Sequence, residues 1–392
     1  MYDAIVVGLG PAGSTAAYYL ASAGLSVLAV DKARFPRYKS CGGCVSAKIA
    51  RVLDFDISAT VEHTVSGICF TYKHSRPVDI ISDKPIGFNV MRDSFDHFLV
   101  KKAEAVGAQI IQGLRVSALS DDHARVTVRC DDGRGLEAAF LIGADGASGV
   151  VGRDYFGFNP KESAVSITSE IPCEPSTLKR LDNKVIAEFG SIPFGYGWIF
   201  PKKESLSIGV AADTARIGRD IKKYFNEFVS RHELLKDLEI RGRDGWMVPT
   251  HYTDSPHTVK GRVLLAGDTG HLVDPFLGEG IYYAALTGKA AAQAVISCVR
   301  RGTSDLSNYQ AWIEKELYPE FKAAGKLSDL VYTHPRLWYN ILEKEPDIMR
   351  RFYDVIRGDE SLDSYYTWVH ASIKGKPLGL LRRWIESRFL PT

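Results

Sequence analysis

The chain has 392 residues, 45% of them hydrophobic and 24% charged, with a formal net charge of +2. This globular composition is too long for one ordinary core, so two or three structural units are expected, and the near-neutral balance gives no broad field for nucleic acid. Six scattered cysteines make no disulfide scaffold, and no apolar run reaches the roughly 18 residues of a membrane span, so a reducing, cytoplasmic location is expected.

The chain begins directly with Tyr2-Asp3-Ala4-Ile5-Val6-Val7, an apolar strand rather than a basic leader with a cleavage site. Gly8-Leu9-Gly10-Pro11-Ala12-Gly13 follows at once, and residues 14–23 are small and helix-forming. Each glycine has a task in a dinucleotide-binding turn. Gly8 permits the tight turn, Gly10 lets backbone approach a pyrophosphate, and Gly13 lets helix and strand pack closely. The helix start, with Ala12 in its first turn, offers free N–H groups and partial positive charge to phosphates. A second strand at 26–30 ends on Asp31, where a carboxylate can accept hydrogen bonds from an adenosine ribose.

Further along, residues 110–111 and 115–116 are strand-like, and alternation at 125–128 predicts a hairpin strand before Asp131-Asp132-Gly133. Phe140-Leu141-Ile142-Gly143 is expected to close the nucleotide sheet. Between 159 and 258 the character changes. Strands are predicted at 165–171, 184–190, 197–201 and 205–211, with further strands from the alternating Ile68, Phe70, Tyr72, Val78 and Ile80. Then Arg262-Val263-Leu264-Leu265-Ala266 forms a strand ending on Gly267-Asp268, followed by Asp274-Pro275-Phe276-Leu277-Gly278-Glu279-Gly280-Ile281 and a helix at 284–294. An acid at a strand end can bind a ribityl hydroxyl, and a glycine-rich helix start can meet a flavin phosphate or ring edge.

From 303 onward the chain is helical and aromatic, with Trp312, Trp338, Tyr339, Phe352 and Tyr365 among its large residues. These either pack a core or line a long apolar tunnel. The stretch 377–389 sets Leu378, Leu381, Trp384 and Phe389 beside Arg382, Arg383 and Arg388. This basic amphipathic pattern either docks on the protein or makes a peripheral contact with an anionic membrane.

Several of these segments together resemble the geranylgeranyl reductase family, within the flavoproteins built like para-hydroxybenzoate hydroxylase. They are residues 8–31, Lys39-Ser40-Cys41-Gly42-Gly43, the helix start Val90-Met91-Arg92-Asp93, Tyr196-Gly197-Trp198-Ile199-Phe200-Pro201, and 267–281. A chain that returns to its nucleotide unit so far downstream is typical of flavoproteins. The resemblance implies an α/β fold: a doubly wound parallel FAD-binding sheet (1–65, 86–158 and 259–302), an inserted antiparallel-sheet substrate domain (66–85 and 159–258), and a C-terminal helical region (303–392). It implies FAD contacts at Gly8, Gly10, Ala12, Gly13, Asp31, Cys41, Gly42, Gly43, Arg92, Val116, Asp268, Gly278, Gly280 and Ile281. Val116 would contribute backbone near the adenine, and Tyr196 and Trp198 would meet a hydrophobic prenyl chain. The related group often carries Asp-Gly-Ala-x-Ser-x-x-Arg-Arg. Here Gly149 takes the serine position and Gly152 the first arginine position, which puts direct reduction by NADPH in doubt.

Reducing an isolated alkene needs a proton donor near the flavin. The resemblance makes Cys41 the candidate, because it implies that the Cys41 segment lies beside the isoalloxazine ring, and an ordinary thiol is largely protonated at neutral pH. Alternatively, Cys41 and its glycines only shape the loop. Cys41 and Cys44 form a lone C-x-x-C without further ligands nearby, so no metal site is expected, while a redox disulfide stays open. Tyr196 and Trp198 share one side of a strand, as substrate wall or as sheet packing. His271 is a second proton relay or a cap, and Glu279 has a structural role beside the flavin helix. The leading expectation is an FAD enzyme that reduces C=C bonds of a prenyl chain, fed by NAD(P)H or a reduced ferredoxin. The other classes are a monooxygenase or halogenase of the same fold and a quinone-linked electron-transfer flavoprotein, whose iron–sulfur centre would have to lie on another chain.

Overall fold

The computed structural model describes residues 1–159, 164–217, 220–240, 242–250 and 257–374. The amphipathic stretch at 377–389 lies outside the described residues. The chain opens with β1 (Tyr2–Val7), α1 (Pro11–Ser22) and β2 (Val27–Asp31). Pro11 starts α1, where its fixed φ suits the helix and its missing N–H costs nothing. The buried face of α1 includes Ala12, Gly13, Ala16 and Ala17, small enough for another helix to approach closely.

Next come β3 (Cys44–Ser46), β4 (Val61–Val65), the hairpin of β5 (Gly67–Tyr72) and β6 (Ser75–Ile81), and β7 (Gly87–Val90). Then follow α2 (Arg92–Ala105), β8 (Gln109–Gln112), β9 (Val116–Asp121), β10 (Val126–Cys130) and β11 (Gly135–Gly143). The middle of the chain holds β12 (Ala164–Pro172), short α3 (Pro175–Lys179), β13 (Lys184–Phe189), β14 (Gly195–Pro201), β15 (Ser205–Asp213), short α4 (Thr214–Ile217), α5 (Ile221–Arg231) and β16 (Asp244–Val248). The return is made by β17 (Val259–Lys260), β18 (Val263–Leu265) and the long α6 (Ile281–Arg301), which Gly302 ends in a left-handed conformation. Helices α7 (Ser307–Trp312), α8 (Tyr318–Thr333), α9 (Pro335–Lys344), α10 (Pro346–Arg357) and α11 (Leu362–Lys374) finish the described chain.

The first sheet runs β17-β18-β11-β1-β2-β8, with β10 and β9 paired in turn off β11. Its β18, β11, β1, β2 and β8 are mutually parallel, and Val7, Gly143 and Leu265 lie in register at their ends. The segment 140–143 therefore does not close this sheet as expected. It sits beside β1 in the interior, because β18, arriving from far downstream, pairs on its outer side. A parallel strand buried on both faces is a continuous apolar run, and 140–142 is one.

The second sheet runs β16-β12-β15-β14-β13-β5-β6. It is antiparallel except for one pair: β13 and β5 run parallel, with Lys184 opposite Gly67 and Phe189 opposite Tyr72. This exception arises because β5 and β13 enter the sheet in the same direction, leaving β6 at the edge. A separate small sheet, β3-β7-β4, holds residues just after the Cys41 loop. Helices α8 to α11 pack on the face of the second sheet that carries Phe70, Val185 and Phe189, in one core with Leu327, Trp338, Phe352 and Tyr365.

Buried Tyr309 of α7 donates its hydroxyl to the Leu265 carbonyl at 2.7 Å, tying the first C-terminal helix to the end of β18. Replacing Tyr309 with Phe leaves that buried carbonyl unsatisfied. The variant is expected to lose about 1 to 3 kcal/mol of stability by urea unfolding, with its FAD content unchanged.

Candidate active site

A single cavity of about 780 Å³ reaches from the first βα turn to the C-terminal helices, toward the upper end of the range usual for ligand clefts. At one end its wall includes Gly8, Gly10, Ala12 and Asp31. Gly8 has φ +96, and a Cβ there would lie 2.2 Å from the Ala144 carbonyl oxygen. The Asp31 carboxylate accepts the N–H of Leu9 and of Ala33, each at 2.7 Å. Those bonds fix its orientation and leave lone pairs for a sugar hydroxyl. Gly13 is not in the wall; a Cβ there would meet the Gly8 carbonyl oxygen at 1.8 Å, so it serves packing beneath the turn. Val116 also stays out of the wall. Its side chain is buried in the apolar core and its backbone pairs with Cys130.

The Cys41-Gly42-Gly43 loop lines the middle of the cavity. A Cβ on Gly42 would lie 2.8 Å from the Phe200 ring and 3.0 Å from Trp198 Nε1, and one on Gly43, at φ +76, would lie 2.2 Å from the Val90 carbonyl oxygen. Both glycines are needed for the loop to rest between β14 and β7. Gly43 N–H donates to Cys41 Sγ at 3.4 Å. Cys44 lines the same cavity, but burial above all pushes its thiol up to about 12.

Arg92, expected to approach the cofactor, is buried with its Nε and Nη2 donating to the two oxygens of Asp96 at 2.9 and 2.8 Å. Burial lowers its pKa, but Asp96 and the neighbouring Cys41 raise it above its ordinary value. Burial would raise the Asp96 carboxyl, yet Arg92 and Arg37 hold it below its ordinary value. Burial, then Arg92, lowers Lys39, and Asp268 at 4.0 Å opposes them.

The second glycine-rich turn closes the site from the opposite side, and Asp268, Gly278, Gly280 and Ile281 line it. Asp274 accepts the N–H of Phe276 at 2.8 Å and of Leu277 at 3.0 Å. The two carbonyls of that dipeptide are held by phenols: Tyr332 donates to Phe276 O at 2.5 Å and Tyr196 to Leu277 O at 2.6 Å. Glu279 pairs with buried Lys48 at 2.8 Å. His271 ends the short helix Gly267–Gly270 in a left-handed conformation at φ +55, the capping role. The departures at Gly149 and Gly152 also have a cause. A Cβ at Gly149 would lie 2.1 Å from the Asp145 carboxylate, and one at Gly152 would lie 2.7 Å from the Thr269 carbonyl oxygen, so an arginine side chain has no room at 152.

Beyond Cys41 the wall turns apolar. Tyr196, Trp198 and Phe200 share one face of β14, their successive ring centroids 5.9 and 6.1 Å apart. Ile68, Phe70, Val185 and Phe189 continue the wall on the sheet side, and Leu327, Tyr332, Trp338, Met349, Phe352 and Tyr365 face them from the helices. The C-terminal aromatics thus divide: Trp338, Phe352 and Tyr365 line the cavity, whereas Tyr339 and Tyr353 pack in the core. Sequence reasoning missed Arg37, Asp96 and Tyr332. Asp96 carried a signal, its i+4 spacing from Arg92 on a helix; Tyr332 carried none.

A family model described as FAD binding domain matches residues 1–311. Geranylgeranyl diphosphate reductase of Rhodobacter capsulatus is 33% identical over 343 residues, 84% of this chain and 84% of that one. Among solved structures, a geranylgeranyl bacteriochlorophyll reductase-like protein from Thermoplasma acidophilum shares the fold with a TM-score of 0.75 at 22% identity, over 98% of this chain and 99% of that one. A flavin-dependent brominase variant shares it with a TM-score of 0.74 at 18% identity, over 96% of this chain and 100% of that one.

Burial pushes the Asp274 carboxyl from its ordinary 3.8 up to about 6 against the pull of its two N–H donors. The folded state therefore favours the protonated acid. That stabilisation is complete below the ordinary value and is lost as pH rises from about 4 to about 6. Across this window the wild type should lose stability relative to Asp274→Asn, as measured by urea unfolding at a series of pH values.

Proposed function

This chain belongs to the geranylgeranyl reductase family of FAD-dependent oxidoreductases, and on that premise we propose that it saturates C=C bonds of a geranylgeranyl or other polyprenyl chain carried by a lipid or quinone-type molecule. The observation that carries the reading is the apolar sleeve, walled by Tyr196, Trp198, Phe70 and Phe352, that opens onto Cys41 and the second glycine-rich turn in one cavity. A hydrocarbon substrate gains roughly 0.8 kcal/mol per buried CH₂, so aromatic walls alone can hold it.

The residues fit FAD along its length. Asp31 would hold the adenosine ribose, bare backbone at Gly10 and the start of α1 would take the diphosphate, and the helix start at Gly278 to Ile281 would take the ring end. Bound and reduced there, FAD would supply the chemistry of hydride donation, two electrons with one hydrogen. Each turn removes one C=C π bond and forms two C–H bonds, consuming two electrons and two protons. Cys41 provides the second hydrogen. Its S–H bond breaks as the proton passes to the other alkene carbon, and the sulfur regains a proton from solvent before the next turn. Arg92, locked by Asp96, is a fixed positive charge near the thiol. Tyr196, Trp198 and Phe200 align the chain and exclude water. The electrons come from NAD(P)H or a reduced ferredoxin. Among the described residues no helix is long and apolar enough to cross a membrane.

The test is anaerobic turnover of a geranylgeranyl lipid with dithionite as reductant, followed by mass spectrometry of the product. The expected product gains two hydrogens per reduced alkene. Cys41→Ala should retain FAD and lose on the order of 10²- to 10⁴-fold in rate. Unchanged prenyl lipids, with oxygenation or halogenation of an aromatic compound in air, would replace this reading with an oxygen-activating one.

A further inference from the structure

Arg37 belongs to none of the motifs above, yet it lines the cavity together with Gly8, Gly10 and Pro11 at the start of α1. Its Nη2 lies 3.8 Å from where a Cβ on Gly10 would stand. The same Nη2 donates to Asp96 Oδ2 at 2.8 Å, and the guanidinium carbon sits 4.8 Å from the centroid of the Phe35 ring. The side chain is thereby fixed from two directions. Its Nη1 is buried and, among the described residues, has no hydrogen-bond partner. Buried guanidinium N–H groups are costly to leave unmatched.

The charges around it point to the missing partner. Asp96 is fully buried and is shared between Arg37 and Arg92. Lys39 is a third cation on the same wall, and Asp268 is 4.0 Å from it. Asp96 is thus already shared by two guanidiniums, and the unmatched edge of Arg37 lies beside the bare backbone of Gly10 and the positive end of α1. A guanidinium with one edge already occupied and the other free matches an oxyanion with several acceptor oxygens.

We propose that Arg37 binds a diphosphate at the start of α1, and that this diphosphate is the one in FAD. The inference rests on the FAD-binding character of the chain and not on the prenyl-reductase reading. A prenyl diphosphate substrate carries the same chemistry, so the experiment separates the two sources. Full-length holoprotein is diluted in series and FAD release is followed by the return of flavin fluorescence, for the wild type and Arg37→Gln. With FAD saturating, KM for geranylgeranyl diphosphate is measured on both.

The expected result is FAD binding on the order of 10- to 100-fold weaker in Arg37→Gln, with KM for the prenyl diphosphate unchanged. Unaltered FAD binding overturns the proposal, and a raised KM in that case assigns Arg37 to the substrate's diphosphate instead. If Arg37→Gln does not fold, Arg37→Lys keeps the charge beside Asp96. One ammonium cannot serve both Asp96 and an oxyanion in the directions the guanidinium spans. FAD binding about tenfold weaker in that variant supports the proposal, and wild-type binding overturns it.

Discussion

The site depends on how closely α1 and α6 approach one another. A Cβ on Gly288 of α6 would lie 2.2 Å from the Ala12 carbonyl oxygen, and one on Gly267 would lie 3.1 Å from Ala12 Cβ. Helices normally pack with their axes about 8 to 10 Å apart, depending on the contacting side chains, and only small residues allow carbonyl and backbone to meet in this way. The starts of two helices far apart in the chain are brought to one cavity, where both would offer backbone N–H groups to a long dinucleotide. Placing β18 outside β11 accomplishes the same return at the level of the sheet.

The cavity then divides by chemistry. Charged groups, among them Asp31, Arg37, Lys39, Arg92 and Asp268, gather at the end formed by the two glycine-rich turns. The remainder is lined mostly by aliphatic and aromatic side chains, with Asp213, Ser328 and Asp329 among the polar exceptions, and Cys41 stands between the two parts. The second glycine-rich turn is held from the substrate side by Tyr196 on β14 and by Tyr332 on α8. The C-terminal helices are therefore joined to the cofactor site through a hydrogen bond as well as through packing. Rings held this firmly give a wall of fixed shape, which suits a substrate that offers contact area and few polar handles.

Much of this was legible in the sequence wherever the determinant was local. The Gly8–Gly13 turn, Asp31, the split return at 267–281 and the paired aromatics Tyr196 and Trp198 each depend on neighbours within a few residues, and the strands and helices they sit on form where the patterns place them. Non-local determinants were not legible. The interior place of 140–143 depends on β18, and the parallel pairing of β13 with β5 depends on two separate entries into one sheet. Arg37 and Arg92 share a carboxylate that is at helical spacing from only one of them. Tyr332 reaches Phe276 across 56 positions in the chain, with no pattern to announce it. Gly152 looked like a lost arginine, and only the Thr269 carbonyl beside it shows why a side chain has no room there.

The most direct check concerns the continuity of the two halves, and it needs no turnover. The oxidised holoprotein is titrated with a geranylgeranyl lipid and, separately, with its water-soluble head group alone, while the visible absorbance of the flavin is recorded. If the apolar sleeve delivers a hydrocarbon chain to the flavin, the lipid perturbs the flavin band saturably and the head group alone does not. A flavin spectrum unmoved by the lipid, or moved equally by the head group, would contradict a chain-binding sleeve that ends at the cofactor.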